Sequence, residues 1–242
     1  MTHAFLLHLH SPEPRPFAPT LAARRALASI VLDVGDSWGI LGFRASGSNL
    51  RILAACGRPD AGRLAQATAV ALRRTLGLPR LGRTRLEAVS DGLPDRLRSI
   101  LADPGDRDPF HDASALPDLV GLRVLGDGAR ARAGTLAPGI GRDAWLALLG
   151  VPDLQPSDDP AFLADGAAAA VGLPDLASNL PRAVAARRAV VAIAWPRLGL
   201  PEVADLLAVT RRAAHNYRSD GAHPALVEAV RLQAGLRVAL FR

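Results

Sequence analysis

The order of apolar patterns in the first hundred residues restricts the fold of this chain more than any other feature. Short apolar runs, typical of strands, alternate with longer stretches in which apolar residues recur every three or four positions, as on one face of a helix. The turn at residues 46–48 (SGS) lies between two of these runs and predicts a hairpin. The patterns predict strands over 4–10, 38–43, 49–56 and 86–89, and helices over 20–34, 61–76 and 94–101.

The resulting order is strand, helix, strand, strand, helix, strand, which is the split βαβ, or ferredoxin-like, arrangement. We therefore expect an α+β fold with a ferredoxin-like domain over residues 1–105. Residues 106–160 are rich in Pro, Gly and Asp, with short helical pieces around 116–119 and 143–149. This composition predicts a linker or subdomain with little regular structure of its own. The patterns from residue 161 to 242 are helical and predict an all-helical second domain.

The helical domain contains a predicted helix-turn-helix at residues 200–218. Pro201 suits the first position of a helix, where its missing N–H is no loss. Thr210 can cap a second helix, and Ala208 stands in the turn, where many such motifs have glycine. In this motif the second helix enters the DNA major groove. We expect the DNA contacts of that helix to come from Arg211, Arg212, His215, Asn216 and Arg218. A plain helical hairpin with solvated arginines is the alternative interpretation.

Charge is distributed unevenly along the chain. All 29 cationic side chains are arginine. Residues 1–105 carry 14 arginines and eight acidic residues, residues 106–165 carry five and ten, and residues 166–242 carry ten and five. Two basic ends around an acidic middle favour two surfaces that contact nucleic acid.

Three stretches of the chain resemble a known family. These are residues 60–67 (DAGRLAQA) after the hairpin, residues 108–119 (DPFHDASALPDL) and residues 121–123 (GLR). Together with the N-terminal layout they are similar to REP-associated tyrosine transposases, which are His-hydrophobic-His single-strand DNA endonucleases. The resemblance implies two histidines, two residues apart on a strand, that hold a divalent metal at the scissile phosphate. It also implies a tyrosine on a later helix that attacks phosphorus and stays covalently attached.

The sequence departs from this catalytic pattern. The strand after the hairpin turn carries Asn49 and Arg51 at the positions that the resemblance gives to the histidines. The predicted helix over 94–101 contains no tyrosine, and the only tyrosine of the chain is Tyr217. We therefore expect no catalytic residues, no metal and no cofactor, and we expect Arg44 and Arg51 on the hairpin to contact phosphate instead.

The preferred interpretation is a transposase-like DNA-binding protein that has lost catalysis. It would bind single-stranded or hairpin DNA with its first domain and duplex DNA with the helix-turn-helix. Two alternatives stay open. Residues 8–10 read His-Leu-His on the first strand, so an active metal-dependent nicking transposase could use His8 and His10. The helical half could instead be a scaffold for a protein partner.

Composition limits the remaining classes. One cysteine, Cys56, excludes an internal disulfide framework and a multi-cysteine zinc site. No window approaches the ~18 unbroken apolar residues of a membrane span, and the N-terminus lacks the pattern of a secretory signal. We therefore expect a cytoplasmic protein with no membrane partner. The sequence leaves the oligomeric state open.

Overall fold

A computed structural model describes residues 3–11, 16–78, 81–82, 84–103 and 107–241. The chain divides into two compact units. Unit 1 comprises Met1–Val120 and Leu125–Pro152, and unit 2 comprises Gly121–Val124 and Asp153–Arg242. The architecture is mixed α+β, as the sequence predicts, with a four-stranded antiparallel sheet and eleven helices in the described residues.

Unit 1 contains the sheet and its helices. Its elements are β1 (Ala4–His10), α1 (Leu21–Asp36), β2 (Ile40–Ser46), β3 (Asn49–Ala54), α2 (Arg58–Leu76), β4 (Arg85–Val89), α3 (Leu93–Leu101), α4 (Leu116–Leu119), α5 (Asp127–Leu136) and α6 (Arg142–Leu148). The helix α2 begins three residues before the predicted start because Pro59 stands in its first turn, where proline is tolerated. It ends at Gly77, whose φ of +61° is left-handed.

The four strands lie in the order β2-β3-β1-β4, and every neighbouring pair is antiparallel. Alternate residues of a strand point to opposite faces, so the register fixes the content of each face. On one face Leu7 of β1 pairs with Ile52 of β3, and both side chains are fully buried in the main core. On the opposite face His8 pairs with Arg51 of β3 and with Arg85 of β4. The second face therefore carries the polar side chains of the sheet.

The outer edge of β2 is covered by residues 113–115. The Ala45 N–H donates to the Ala113 carbonyl at 2.8 Å, and the Ala115 N–H donates to the Phe43 carbonyl at 2.9 Å. Next to these bonds, the Asp112 carboxylate accepts from the Arg44 guanidinium at 2.9 Å, and both side chains are fully buried. A buried charge must be paired, so this ion pair holds the covering segment against the strand.

The division of the chain differs from the one expected from the sequence. Residues 106–160 were expected to form a linker or subdomain, whereas the structure assigns residues 107–120 and 125–152 to the unit that contains the sheet. The short helices expected around 116–119 and 143–149 are present as α4 and α6, and Pro117 does not interrupt α4 because it lies in the first turn of that helix. Trp145 and Leu146 of α6 are also buried, which an unstructured linker would not allow.

Unit 2 is helical. It comprises α7 (Pro160–Ala170), α8 (Pro181–Leu198), α9 (Leu200–Leu206), α10 (Arg211–Asp220) and α11 (Pro224–Phe241). The short segment 121–124 belongs to it through two hydrogen bonds. The Val124 N–H donates to the Ala170 carbonyl at 3.0 Å, and the Gln233 amide donates to the Leu122 carbonyl at 3.0 Å.

Small residues bring α7 and α11 close together. A Cβ atom at Gly166 would lie 3.2 Å from the backbone nitrogen of Ala234 and from the carbonyl oxygen of Val230. A Cβ atom at Gly235 would lie 1.8 Å from the carbonyl oxygen of Gln155. Backbone atoms cannot move aside as a flexible side chain can, so the contact of α11 with Gln155 requires glycine at position 235, and the approach of α7 to α11 leaves little room for a side chain at position 166.

The Arg44–Asp112 ion pair generates a stability prediction. Replacing Asp112 with alanine leaves the buried Arg44 guanidinium without its carboxylate, which should lower the free energy of unfolding by about 3–5 kcal/mol. The measurement is equilibrium unfolding in urea. The control is Asp91→Ala, which removes an exposed carboxylate from the same unit. Equal losses in the two variants would contradict the structural role given to the pair.

Candidate nucleic-acid interfaces

The helices α9 and α10 form the pair expected between residues 200 and 218. Val203 and Leu207 are buried in the core of unit 2, so α9 packs through one side. Thr210 is the N-cap of α10, and its side chain accepts from the Ala213 N–H at 3.2 Å. The predicted cap is therefore confirmed. Capping satisfies one of the free donors at the helix start and fixes where α10 begins.

The turn between the two helices is strained at Ala208. Its φ of +50° is the only positive φ of a non-glycine residue in the part of the chain that the structure describes. The left-handed conformation costs an L-residue about 1–2 kcal/mol because Cβ approaches the following carbonyl oxygen. The N–H of Ala208 donates to Asp205 at 3.0 Å and that of Val209 to Ala204 at 2.9 Å. These bonds close the end of α9.

Four of the predicted DNA-contact residues lie exposed on one side of α10. The pairs 211/215 and 212/216 are each four residues apart, so the members of each pair lie one above the other, and the two pairs are adjacent on the helix surface. The opposite side is occupied by Ala214, which is buried, and by Tyr217, which is half-buried. The exposed residues are Arg211, Arg212, His215 and Asn216. This side of α10 presents donors and positive charge to solvent.

Arg218, the fifth predicted residue, has a different environment. Its guanidinium carbon lies 4.5 Å from the ring centroid of Trp195 on α8. A planar guanidinium at this distance gains a cation–π attraction. The residue is exposed, yet its head group is already held by α8. Arg218 therefore helps to anchor α10 on α8, and its contact with DNA stays a prediction.

Two further contacts hold α10 on α8. The guanidinium carbon of Arg187 lies 5.4 Å from the ring centroid of Tyr217. Arg188 forms an ion pair with Asp220 at 2.6 Å. Together with the stacking of Arg218, these contacts fix the second half of α10 and so define the direction in which its exposed side faces.

The prediction that Arg44 contacts phosphate is wrong. The residue is only 1% exposed, and its guanidinium is paired with Asp112 under the covering segment. A phosphate group cannot reach a guanidinium that is excluded from solvent in this way. The partner lies 68 residues away in the sequence, so no local pattern around the hairpin could have revealed it.

Arg51, the other predicted hairpin contact, lies on the polar face of the sheet. It forms an ion pair with Asp103, and its side chain is 25% exposed. Burial, and after it the charge of Arg44, lowers the pKa of the Arg51 guanidinium. Arg51 is thus partly accessible but already paired.

His8 lies at the centre of the same face. Its Nε2 is 3.5 Å from Oε2 of Glu87. Burial lowers the pKa of His8, and the charges of Arg51, Arg85 and Arg96 lower it further. Three guanidinium groups around one imidazole repel an additional cation. We name this group of side chains the His8 cluster; it comprises His8, Arg51, Arg85, Glu87, Arg96 and Asp103.

His10 lies beside Asn49 at the end of β1, with 3.1 Å between its Nδ1 and the amide oxygen of Asn49. Strand alternation puts His8 and His10 on one face, as the nicking alternative requires. Within the described ranges, no group of three or more His, Cys, Asp or Glu residues is arranged to hold a metal ion.

The sequence interpretation missed Arg85, Glu87, Arg96 and Asp103. A signal for two of them exists, because Arg85 and Glu87 are two residues apart on a predicted strand and therefore share a face. Arg96 of α3 pairs with Glu87, and this contact between a helix and a strand depends on the tertiary fold.

No helix in the part of the chain that the structure describes is long and apolar enough to cross a membrane. A scan against protein-family models finds no match, and comparisons with curated proteins and with solved structures find no significant similarity.

The strained turn yields a prediction about stability. Ala208→Gly removes the left-handed strain of about 1–2 kcal/mol and adds about 0.4–1 kcal/mol of unfolded-chain entropy. We expect a net increase of about 0.5–1 kcal/mol in the free energy of unfolding of unit 2. Thermal unfolding followed by circular dichroism measures it.

The matched control is Ala192→Gly, at an exposed position inside α8. This substitution should cost about 1 kcal/mol, as glycine does in a helix interior. A loss of stability in both variants would show that Ala208 is not strained.

The lowered pKa of His8 generates a pH prediction. An unfolded histidine gains its proton below about pH 6.5, whereas folded His8 gains it only at lower pH. In that window the unfolded state binds more protons, so stability decreases as the pH falls. His8→Gln removes this contribution, and the urea midpoint should then decrease less between pH 7.5 and pH 5. The control is His215→Gln, which replaces an exposed histidine. Parallel pH profiles for the wild-type protein and His8→Gln would contradict the prediction.

Proposed function

We propose that this protein binds duplex DNA, with α9 and α10 acting as a helix-turn-helix whose second helix enters the major groove. The observation that carries the proposal is the exposed side of α10, where Arg211, Arg212, His215 and Asn216 lie together. Arginine can donate two hydrogen bonds to guanine, and asparagine can exchange two with adenine. These residue types at the start of a helix are suited to reading base edges.

The attachment of α10 to α8 supports this role. A recognition helix must keep its side chains within a fraction of an ångström of their targets, and rigid support provides this precision. The stacking of Arg218 on Trp195 and the ion pair of Arg188 with Asp220 give such support. Both lie at the second half of α10, which leaves its first half free for the groove.

The charge of the exposed side favours DNA over a protein partner. Protein interfaces have cores enriched in aromatic residues and depleted of charge. The exposed side of α10 instead consists of two arginines, a histidine and an asparagine. The scaffold alternative therefore lacks an apolar anchor on this surface.

For unit 1 we propose a ferredoxin-like, transposase-type domain that holds single-stranded or hairpin DNA on the polar face of its sheet. The strand order β2-β3-β1-β4 supports that fold. Arg85 is exposed and Arg96 is 40% exposed at its side chain, so both can approach a phosphate. Glu87 and Asp103 limit the net positive charge, which makes this the weaker of the two surfaces.

The proposed activity is binding without cleavage. Arg51 stands where the resemblance requires a metal-ligating histidine, and its charge is fixed beside His8. A nicking enzyme built on His8 and His10 would have to hold a cation among three guanidinium groups. Coulomb repulsion by these groups, which Glu87 and Asp103 offset only in part, disfavours that arrangement.

The proposal is tested by selecting bound sequences from a random duplex pool and titrating the selected site with variants. Arg212→Ala should lower the affinity by about 1–3 kcal/mol if the side chain is bidentate to guanine. The matched control is Arg73→Ala, which removes the same charge from the exposed side of α2 and should change affinity little. Affinity should also fall steeply as salt rises, because phosphate contacts release counterions.

Two outcomes would contradict the proposal. The first is a failed test of duplex binding, in which either no sequence is selected or Arg212→Ala and Arg73→Ala lower the affinity equally. The second is cleavage. We expect single-stranded oligonucleotides incubated with the protein and Mg²⁺ or Mn²⁺ to be neither nicked nor covalently attached to it. A nicked product that disappears in His8→Ala would support the enzyme alternative.

A further inference from the structure

A cavity of about 340 Å³ lies in unit 2 beside the turn between α9 and α10. Its walls come from α7, from residues 175–177, from α8 and from residues 206–209 of the turn. The volume is at the lower end of the range of about 300–1,000 Å³ for small-molecule sites. A ligand of this cavity would therefore be small.

A buried guanidinium lines the cavity. Arg187 is 5% exposed, donates to the Ser178 carbonyl at 2.8 Å and stacks on Tyr217. Among the residues that the structure describes, no carboxylate pairs with it, and its Nε–H has no acceptor. Buried charges in proteins are normally paired. This one faces a space that could admit an anionic group.

Two carboxylates line the same cavity. Asp175 accepts from the Ala177 N–H at 2.8 Å, and Asp165 is exposed on α7. Because both belong to the walls, a purely anionic ligand would be repelled by them. Leu206 and Val209 supply apolar wall between the charged groups. The cavity thus combines one positive site, a negative site and an apolar wall.

We propose that this cavity binds a small zwitterion with an apolar side chain, of the class of the α-amino acids. The ligand carboxylate pairs with the Arg187 guanidinium, and its ammonium group lies at Asp165 and Asp175. Its side chain packs against Leu206 and Val209. No charge is then left buried without a partner.

The same cavity connects the ligand to α10. Arg187 contacts Tyr217 of α10, and the turn residues 206–209 form part of the wall. A ligand held there contacts the turn after α9 directly and is linked to α10 through Arg187 and Tyr217. Because it binds the folded state alone, it stabilises unit 2 by RT ln(1 + c/Kd), where c is the free ligand concentration, and this stabilisation grows with the logarithm of the concentration once the site is saturated.

The experiment uses the full-length protein and each of the twenty standard amino acids at millimolar concentration. We expect apolar amino acids such as leucine to raise the unfolding temperature, and we expect their N-acetyl and amide derivatives not to do so. Titration calorimetry then gives the affinity for the best amino acid. Asp165→Asn should weaken it about tenfold or more, as loss of one partner from a charge pair does.

The matched control is Asp205→Asn, which neutralises an exposed carboxylate on α9 outside the cavity wall and should leave the affinity unchanged. Arg187→Met should abolish binding. If the Arg187→Met variant does not fold, the Asp165→Asn variant and the N-acetyl and amide derivatives still test whether the cavity binds an amino acid. The proposal is overturned if no amino acid raises the unfolding temperature, if blocked derivatives bind equally well, or if both aspartate variants behave alike. No DNA is present, so failure here leaves DNA binding untouched.

Discussion

Pairing of the Arg44 guanidinium with Asp112 organises unit 1 beyond the two residues involved. It closes the outer edge of β2, which would otherwise present unpaired backbone groups, and it holds the start of the 113–152 region on the sheet. It also removes one of the hairpin arginines from the surface. Arg51, the residue paired with Arg44 in the sheet register, lies beside His8 and stays 25% exposed at its side chain. The charge of Arg44 still acts there, because it contributes to the lowered pKa of Arg51.

Arginine has several distinct tasks in this chain, and they explain why a count of basic residues overstates the charge available to a ligand. Arg44 is a buried ion-pair partner, Arg218 stacks on Trp195, and Arg187 stacks on Tyr217. The planar guanidinium can stack and donate at once, which an ammonium group cannot do. Only after these tasks are assigned do Arg211 and Arg212 stand out as cations that face solvent on α10.

The sequence predicts local features well and distant pairings poorly. The strand over 4–10, the hairpin and the cap at Thr210 follow from patterns within one element, and the structure contains all three. The burial of Arg44 depends on a partner 68 residues away, and the stacking of Arg218 depends on the approach of α8. The composition of residues 106–160 predicts a linker or subdomain, whereas the assignment of most of this segment to unit 1 depends on contacts with distant residues, such as the Arg44–Asp112 ion pair.

The close backbone contacts at Gly166 of α7 and Gly235 of α11 have an evolutionary consequence. At Gly166 and Gly235 the space beyond the α-carbon is occupied by main chain, which every residue type shares. No second substitution elsewhere can therefore create room there by trimming a neighbouring side chain. A larger residue at either position cannot be accommodated by a smaller residue nearby. At ordinary core positions, in contrast, a larger side chain can be balanced by a smaller neighbouring one. Among divergent descendants of this chain, these two sites should be the last to change.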